Sequence, residues 1–122
     1  MKEKVDAGAE YIITQMVFSA RAFRDFVDRA RGIGIQVPII PGVKPVTSVR
    51  QLTTIPREFH VELPEELVQL ISRAKTPADA TRCGTEFTTR LCRDLLKQDV
   101  PGLHFYTMGR GRVVSEVLKS LD

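Results

Sequence analysis

The spacing of apolar positions changes regularly along the chain. The eight residues from Tyr11 to Phe18 (Tyr-Ile-Ile-Thr-Gln-Met-Val-Phe) are β-branched or aromatic and nearly continuously apolar. That pattern predicts a strand buried on both faces. Ser19 is suited to cap a helix, and Phe23, Phe26, Val27 and Ala30 then recur at i, i+3, i+4 and i+7. Gly32 and Gly34 are suited to end that helix. A second strand is expected from Val37 to Ile40, stopped by Pro41-Gly42. A short helix is expected from Thr47 to Ile55, entered through a Thr-Ser cap, and another from Pro64, where Glu65 and Glu66 suit a helix N-terminus.

The strongest helix start is Thr76-Pro77-Ala78-Asp79, with a capping threonine, proline at the first helical position and an acid three residues on. The stripe Ala80, Cys83, Phe87, Leu91 and Leu95 follows, and Pro101-Gly102 closes the segment. Leu103 to Thr107 reads as a third strand, and Val113, Val117 and Leu121 mark a last amphipathic helix. Lys2 to Ala7 reads as the tail of a helix. Strands separated by helices imply a parallel sheet with right-handed crossovers. Three strands are few for such a sheet, which averages five or six. The expected fold class is therefore α/β, and the 122 residues read as part of a larger sheet or barrel.

Composition adds mainly exclusions. With 18 Lys+Arg against 15 Asp+Glu, a net charge of +3, 43% hydrophobic and 27% charged residues, this is an ordinary globular composition, not a disordered or collagenous one. No apolar run approaches the roughly 18 residues of a membrane span, and no basic-then-apolar leader follows Met1. The small charge excess, interspersed with acids, argues against nucleic-acid binding. Cys83 and Cys92 fall nine residues apart on one expected helix. That spacing sets them about 13 Å apart along the axis, too far for a disulfide. They read as free thiols of a reducing compartment, the cytoplasm. Neither has a Cys or His at ligand spacing, so no metal site is expected.

In parallel α/β architectures, function sits beyond the C-terminal ends of the strands. That rule selects three places. Gln15 is an amide within an apolar strand. It is satisfied either by neighbouring backbone or by a ligand's ring edge or amide. Pro41-Gly-Val-Lys-Pro45 is a rigid loop leading to Thr47-Ser48 and Gln51. It is either plain turn chemistry or one wall of a pocket. Tyr106-Thr-Met-Gly-Arg-Gly-Arg112 is glycine-rich backbone entering a helix. It is either a simple strand-to-helix turn or an anion site reinforced by Arg110 and Arg112. His104 and Tyr106 alternate onto one face, and His104 reads as a packed histidine rather than a general base. No nucleophile elbow, P-loop, complete dinucleotide fingerprint or HExxH is present.

The same places carry a resemblance. Lys4-Val-Asp-Ala-Gly-Ala9, Ile12-Ile-Thr-Gln-Met-Val-Phe18, Pro38-Ile-Ile-Pro-Gly-Val43 with Pro45, and Pro101-Gly-Leu-His-Phe-Tyr-Thr107 resemble, in order, the later part of the catalytic domain of methylenetetrahydrofolate reductases. The ending Glu116-Val-Leu-Lys119 is similar to eukaryotic members. The resemblance implies a partial (β/α)8 TIM barrel over residues 1–122: about its last three strands, with the N-terminal strands absent. It implies noncovalent FAD, reduction of the flavin by NAD(P)H, and reduction of 5,10-methylenetetrahydrofolate to 5-methyltetrahydrofolate. It implies cofactor contacts from Lys4 and Gln15, and folate contacts from Gln15, Gln51, Tyr106 and Arg110. An amide suits the donor–acceptor edge of a pterin, and Tyr and Arg suit the aminobenzoyl-glutamate portion.

Gly109 stands where the family usually has Asn, and Arg112 has no counterpart in the motif. The family's acidic residues that support iminium formation and tune the flavin belong to earlier strands, so no catalytic residue is assigned here. The expectation is a segment inactive alone, self-associating or pairing with the missing N-terminal part. The alternatives are a non-enzymatic folate-binding or assembly module, and a barrel enzyme for a phosphorylated substrate using the turn from Gly109 to Arg112.

Overall fold

A computed structural model describes residues 10–106 and 111–121. The elements run β1 (Ile12–Met16), α1 (Ala20–Gly32), β2 (Ile39–Val43), α2 (Gln51–Phe59), α3 (Glu65–Ser72), α4 (Pro77–Leu96), β3 (His104–Phe105) and α5 (Gly111–Leu121). The strands form one sheet in the order β1-β2-β3, and both pairings are parallel. The α/β class and the parallel arrangement expected from the alternation are those observed, and they fit a partial TIM barrel. The expected helix tail before Ala7 lies outside the described residues.

The strands depart from expectation in instructive ways. β1 is shorter than the apolar run, and Tyr11 and Ile13 are 56% and 38% exposed. β1 has β2 as its sole neighbour among the described strands, so its outer edge and one face stay open. Pro41-Gly42 does not stop β2, which runs through both to Val43. Proline has no N–H to give a ladder and is normally excluded from central strands. Here it falls where the ladder is already broken: Ile13 pairs with Ile40 and Met16 with Gly42, so Thr14 and Gln15 bulge opposite Pro41. β3 pairs with β2 only at Gly42 and Val43. It is two residues long, not the run expected from Leu103, and the ladder continues through Tyr106 N–H to Val43 O at 2.9 Å.

The helices follow local signals. Ser19 Oγ accepts from Ala22 N–H at 3.2 Å, and Thr76 Oγ1 accepts from Asp79 N–H at 3.1 Å, so both expected caps form. α2 begins later than expected. Ser48 Oγ accepts from Gln51 N–H at 3.3 Å, so the hydroxyl works as a cap only where the chain turns helical at Gln51. On α4, Ala80, Phe87, Leu91 and Leu95 of the expected stripe are buried, but Gly84 is buried in the place of Cys83, which is only half-buried. A Cβ at Gly84 would overlap the Val46 carbonyl oxygen, so glycine lets the helix back directly onto the loop after β2.

Two apolar clusters result. Phe23, Ile39, Val43, Leu91, Leu95 and Val117 anchor the layer between sheet and helices. Phe18, Val46, Ile55, Leu67, Ile71 and Phe87 form a second cluster beyond the C-terminal ends of β1 and β2. That second cluster includes Val46 and backs residues 44–47, a buried loop directly after β2 that forms one wall at the strand ends.

Candidate functional site

Because all three strands run the same way, the ends of β1, β2 and β3 open on one side of the sheet. Gln15 lies at the end of β1, Tyr106 directly follows β3, and Gln51 opens α2 after the loop from β2. Lys4 and Arg110 lie outside the described residues, as does most of the glycine-rich turn; Arg112 is exposed on α5.

Gln15 and Tyr106 are brought together by the backbone of Thr14. The Tyr106 hydroxyl donates to Thr14 O at 2.8 Å, crossing over β2 to do so. The crossing is possible because Gly42 stands in between: a Cβ there would lie 2.5 Å from Tyr106 Cε2 and 2.7 Å from Thr14 O. The Thr14 hydroxyl accepts from Gly42 N–H at 3.0 Å and donates to Gln15 O at 2.8 Å. The bulge that Pro41 leaves without a backbone donor is thus held by side chains. His104 packs edge-on against Tyr106, with ring centroids 4.8 Å apart and an interplanar angle of 78°, as its reading as a packed histidine implies. The Gln15 side chain is exposed, with its amide available at the mouth.

Gln51 is turned to its own loop. Its Oε1 accepts from Thr47 N–H at 2.7 Å, which ties the helix start to the buried segment. Lys44, 4% exposed, sits in the same loop and donates to Pro45 O at 3.1 Å. Sequence reasoning did not single out Thr14, and it left Gly42 within a segment that was either turn chemistry or one wall of a pocket. The available signals were a polar Thr-Gln pair inside an apolar run and a glycine next to a proline within strand-like sequence.

A groove of about 760 Å³ runs along β1 between Phe23 and Phe26 of α1 and the stretch from Val61 to Pro64. It follows the chain through β1 from Ile12 to Phe18 and reaches α1 at Ala22, Phe23 and Phe26. Gln15 is among the residues that line it. At the strand ends the groups on offer are the exposed Gln15 amide, with one donor–acceptor edge, and the Tyr106 ring held by its hydroxyl to the Thr14 carbonyl. Those groups suit a flat heterocycle with alternating donors and acceptors. Among the described residues, no helix is long and apolar enough to cross a membrane.

Comparison with known proteins agrees with this architecture. The family model described as methylenetetrahydrofolate reductase matches residues 1–122. A probable methylenetetrahydrofolate reductase (NADPH) from Caenorhabditis elegans is 39% identical over 99% of this chain, which covers 19% of that protein. Methylenetetrahydrofolate reductase (NADH) 1 from Arabidopsis thaliana is 31% identical over 99% of this chain, covering 21% of that protein. The chain therefore spans about a fifth of the length of these curated relatives. A solved structure superposes with a TM-score of 0.60 at 18% identity, over 99% of this chain and 45% of that one. It is of an uncharacterized protein from Clostridium thermocellum that binds two copies of 5-methyl-5,6,7,8-tetrahydrofolic acid, and at that identity the likeness speaks to the fold alone. With a family match along its whole length, and a parallel α/β sheet that fits part of a TIM barrel, the chain belongs to the methylenetetrahydrofolate reductase family.

Proposed function

We propose that residues 1–122 form the C-terminal portion of the catalytic barrel of a reductase that converts 5,10-methylenetetrahydrofolate to 5-methyltetrahydrofolate at the expense of NAD(P)H. The observation that carries this is the junction of Gln15 and Tyr106 at the strand ends, built through Thr14 and made possible by Gly42. Gln15 contacts the pterin amide edge and, in the alternate half-reaction, the nicotinamide. The Tyr106 ring walls the site beside it, with Arg110 holding the glutamate end of the folate. Gln51 contributes from the loop it braces.

For FAD, the described residues offer groups that fit the ring system rather than the diphosphate. The exposed Gln15 amide is a donor–acceptor edge, and the cation assigned to the cofactor, Lys4, lies outside the described residues. Bound FAD would supply hydride transfer between NAD(P)H and the folate. This chain's own part is to orient the folate ring and to exclude water with the buried 44–47 loop. The groove along β1 takes the preceding strand and helix of the barrel, supplied by an N-terminal portion in the same polypeptide or by a partner chain. Left alone, the open strand edge and apolar groove favour self-association. Two free cysteines suit a reducing compartment, the cytoplasm.

The test is reconstitution. The segment alone, given FAD, NAD(P)H and 5,10-methylenetetrahydrofolate, should turn over negligibly. Joined to its N-terminal portion it should bind flavin and reduce the folate. Full turnover by the isolated segment would refute the division of labour.

A further inference from the structure

We propose that Thr14 and Tyr106 are positioning residues that aim Gln15, acting on it through the bulge in β1. The inference rests on the reading of Gln15 as a folate-contacting amide. A bulge leaves residues without ladder partners, so something must fix its conformation. Opposite this one stands Pro41, which has no N–H to offer. Three hydrogen bonds fill the gap, and each involves Thr14. Its hydroxyl accepts from Gly42 N–H, the same hydroxyl donates to Gln15 O, and its carbonyl accepts from the Tyr106 hydroxyl, at 3.0, 2.8 and 2.8 Å.

The Gln15 side chain is exposed, and the backbone it hangs from sets its Cα–Cβ direction and so the region its amide can reach. The bracket of Thr14, Gly42 and Tyr106 is what sets that backbone. A consequence follows for Tyr106. Its one hydroxyl proton is committed to Thr14 O, so toward a ligand the oxygen can accept but not donate. The hydroxyl therefore serves the folate through Gln15, while the ring, packed against His104, walls the site.

The experiment is a set of double-mutant cycles in the complete reductase, reading KM and kcat for 5,10-methylenetetrahydrofolate alongside thermal stability. Tyr106→Phe and Thr14→Val should each raise KM for the folate about fivefold to tenfold, with a smaller change in kcat. Thr14→Ser keeps the hydroxyl and should restore near-normal kinetics. In a Gln15→Ala background, Tyr106→Phe should add less than about a twofold further loss, because a positioning residue has nothing left to position. Should Thr14→Val fold poorly, the Tyr106 cycle stands by itself. Equal losses from Tyr106→Phe with and without Gln15 would overturn the inference and make the hydroxyl a direct ligand contact. An unchanged folate KM in Gln15→Ala alone would instead remove the underlying reading of Gln15.

Discussion

The Tyr106 hydroxyl reaches across the middle strand of the sheet to donate to the Thr14 carbonyl at 2.8 Å. The two residues come from the outer strand at one side and the strand end at the other, so the bond spans the mouth of the site. It forms only because Gly42 of the middle strand carries no side chain between them. The relationship turns three separate sequence motifs into one local structure, and the expected effects of substitution follow from it.

Gly42→Ala should be costly in two ways. The new methyl would sit 2.5 Å from the Tyr106 ring and 2.7 Å from Thr14 O. The ring can swing away, but the carbonyl lies between the paired residues Ile13 and Met16 and its residue is tied to Gly42 N–H through the Thr14 hydroxyl, so it cannot do so freely. A loss of about 1–3 kcal/mol of stability is expected, together with a rise in folate KM as Tyr106 leaves Thr14. Denaturant melts and steady-state kinetics on the same preparation check both parts.

Gly84→Ala should be worse for stability and indirect for activity. Its Cβ would overlap the Val46 carbonyl, which is backbone in a buried loop. Helix α4 must then move off the loop after β2, for a loss of about 3 kcal/mol or more. Alanine ordinarily stabilises a helix interior relative to glycine by up to about 1 kcal/mol, so a lowered melting temperature would show that contact with the loop outweighs helix propensity here.

Gln15→Ala should separate function from folding. The side chain is exposed and caps no buried group in the described fold, so stability should stay within about 0.5 kcal/mol of the parent. Folate turnover should fall by an order of magnitude or more, which is about 1.4 kcal/mol or greater in kcat/KM.

Cys92 should behave unlike Cys83. It is fully buried, and burial pushes its thiol up from 9.0 to about 11. In the folded protein it should resist alkylation at pH 8, while half-buried Cys83 reacts first. The shift also makes stability pH-dependent. Below pH 9 the thiol is protonated in both states and the contribution is intact. Between about 9 and 11 only the unfolded chain ionises, so stability falls as pH rises. At about 1.4 kcal/mol per pH unit, the loss approaches 2–3 kcal/mol in order of magnitude. Cys92→Ala should flatten that slope in a chemical-denaturation series over the same range.

The sequence was readable where structure is local. Ser19 and Thr76 cap helices as their positions suggest, and the spacing of Phe23 and Ala30 marks the buried side of α1. It was misleading where structure depends on a partner far along the chain. Pro41 and Gly42 read as a stop because nothing near them reveals that β1 bulges opposite the proline, or that the Tyr106 ring needs the glycine's empty space. Gly84 likewise has its reason in the Val46 carbonyl of another element. Gln15 stood out because an amide is rare in an apolar strand, whereas Thr14 beside it gave no warning, since threonine is at home in any strand. The motif order carried the family, and the geometry then showed which motif residues meet.

The claim that the mouth beside Thr14 and Tyr106 receives the folate ring is tested most directly by a crystal structure of the complete reductase with 5-methyltetrahydrofolate bound. The Gln15 amide should lie about 3 Å from the pterin's donor–acceptor edge, with the Tyr106–Thr14 bond retained. A folate seated elsewhere, with Gln15 facing solvent or paired only to protein, would contradict the account.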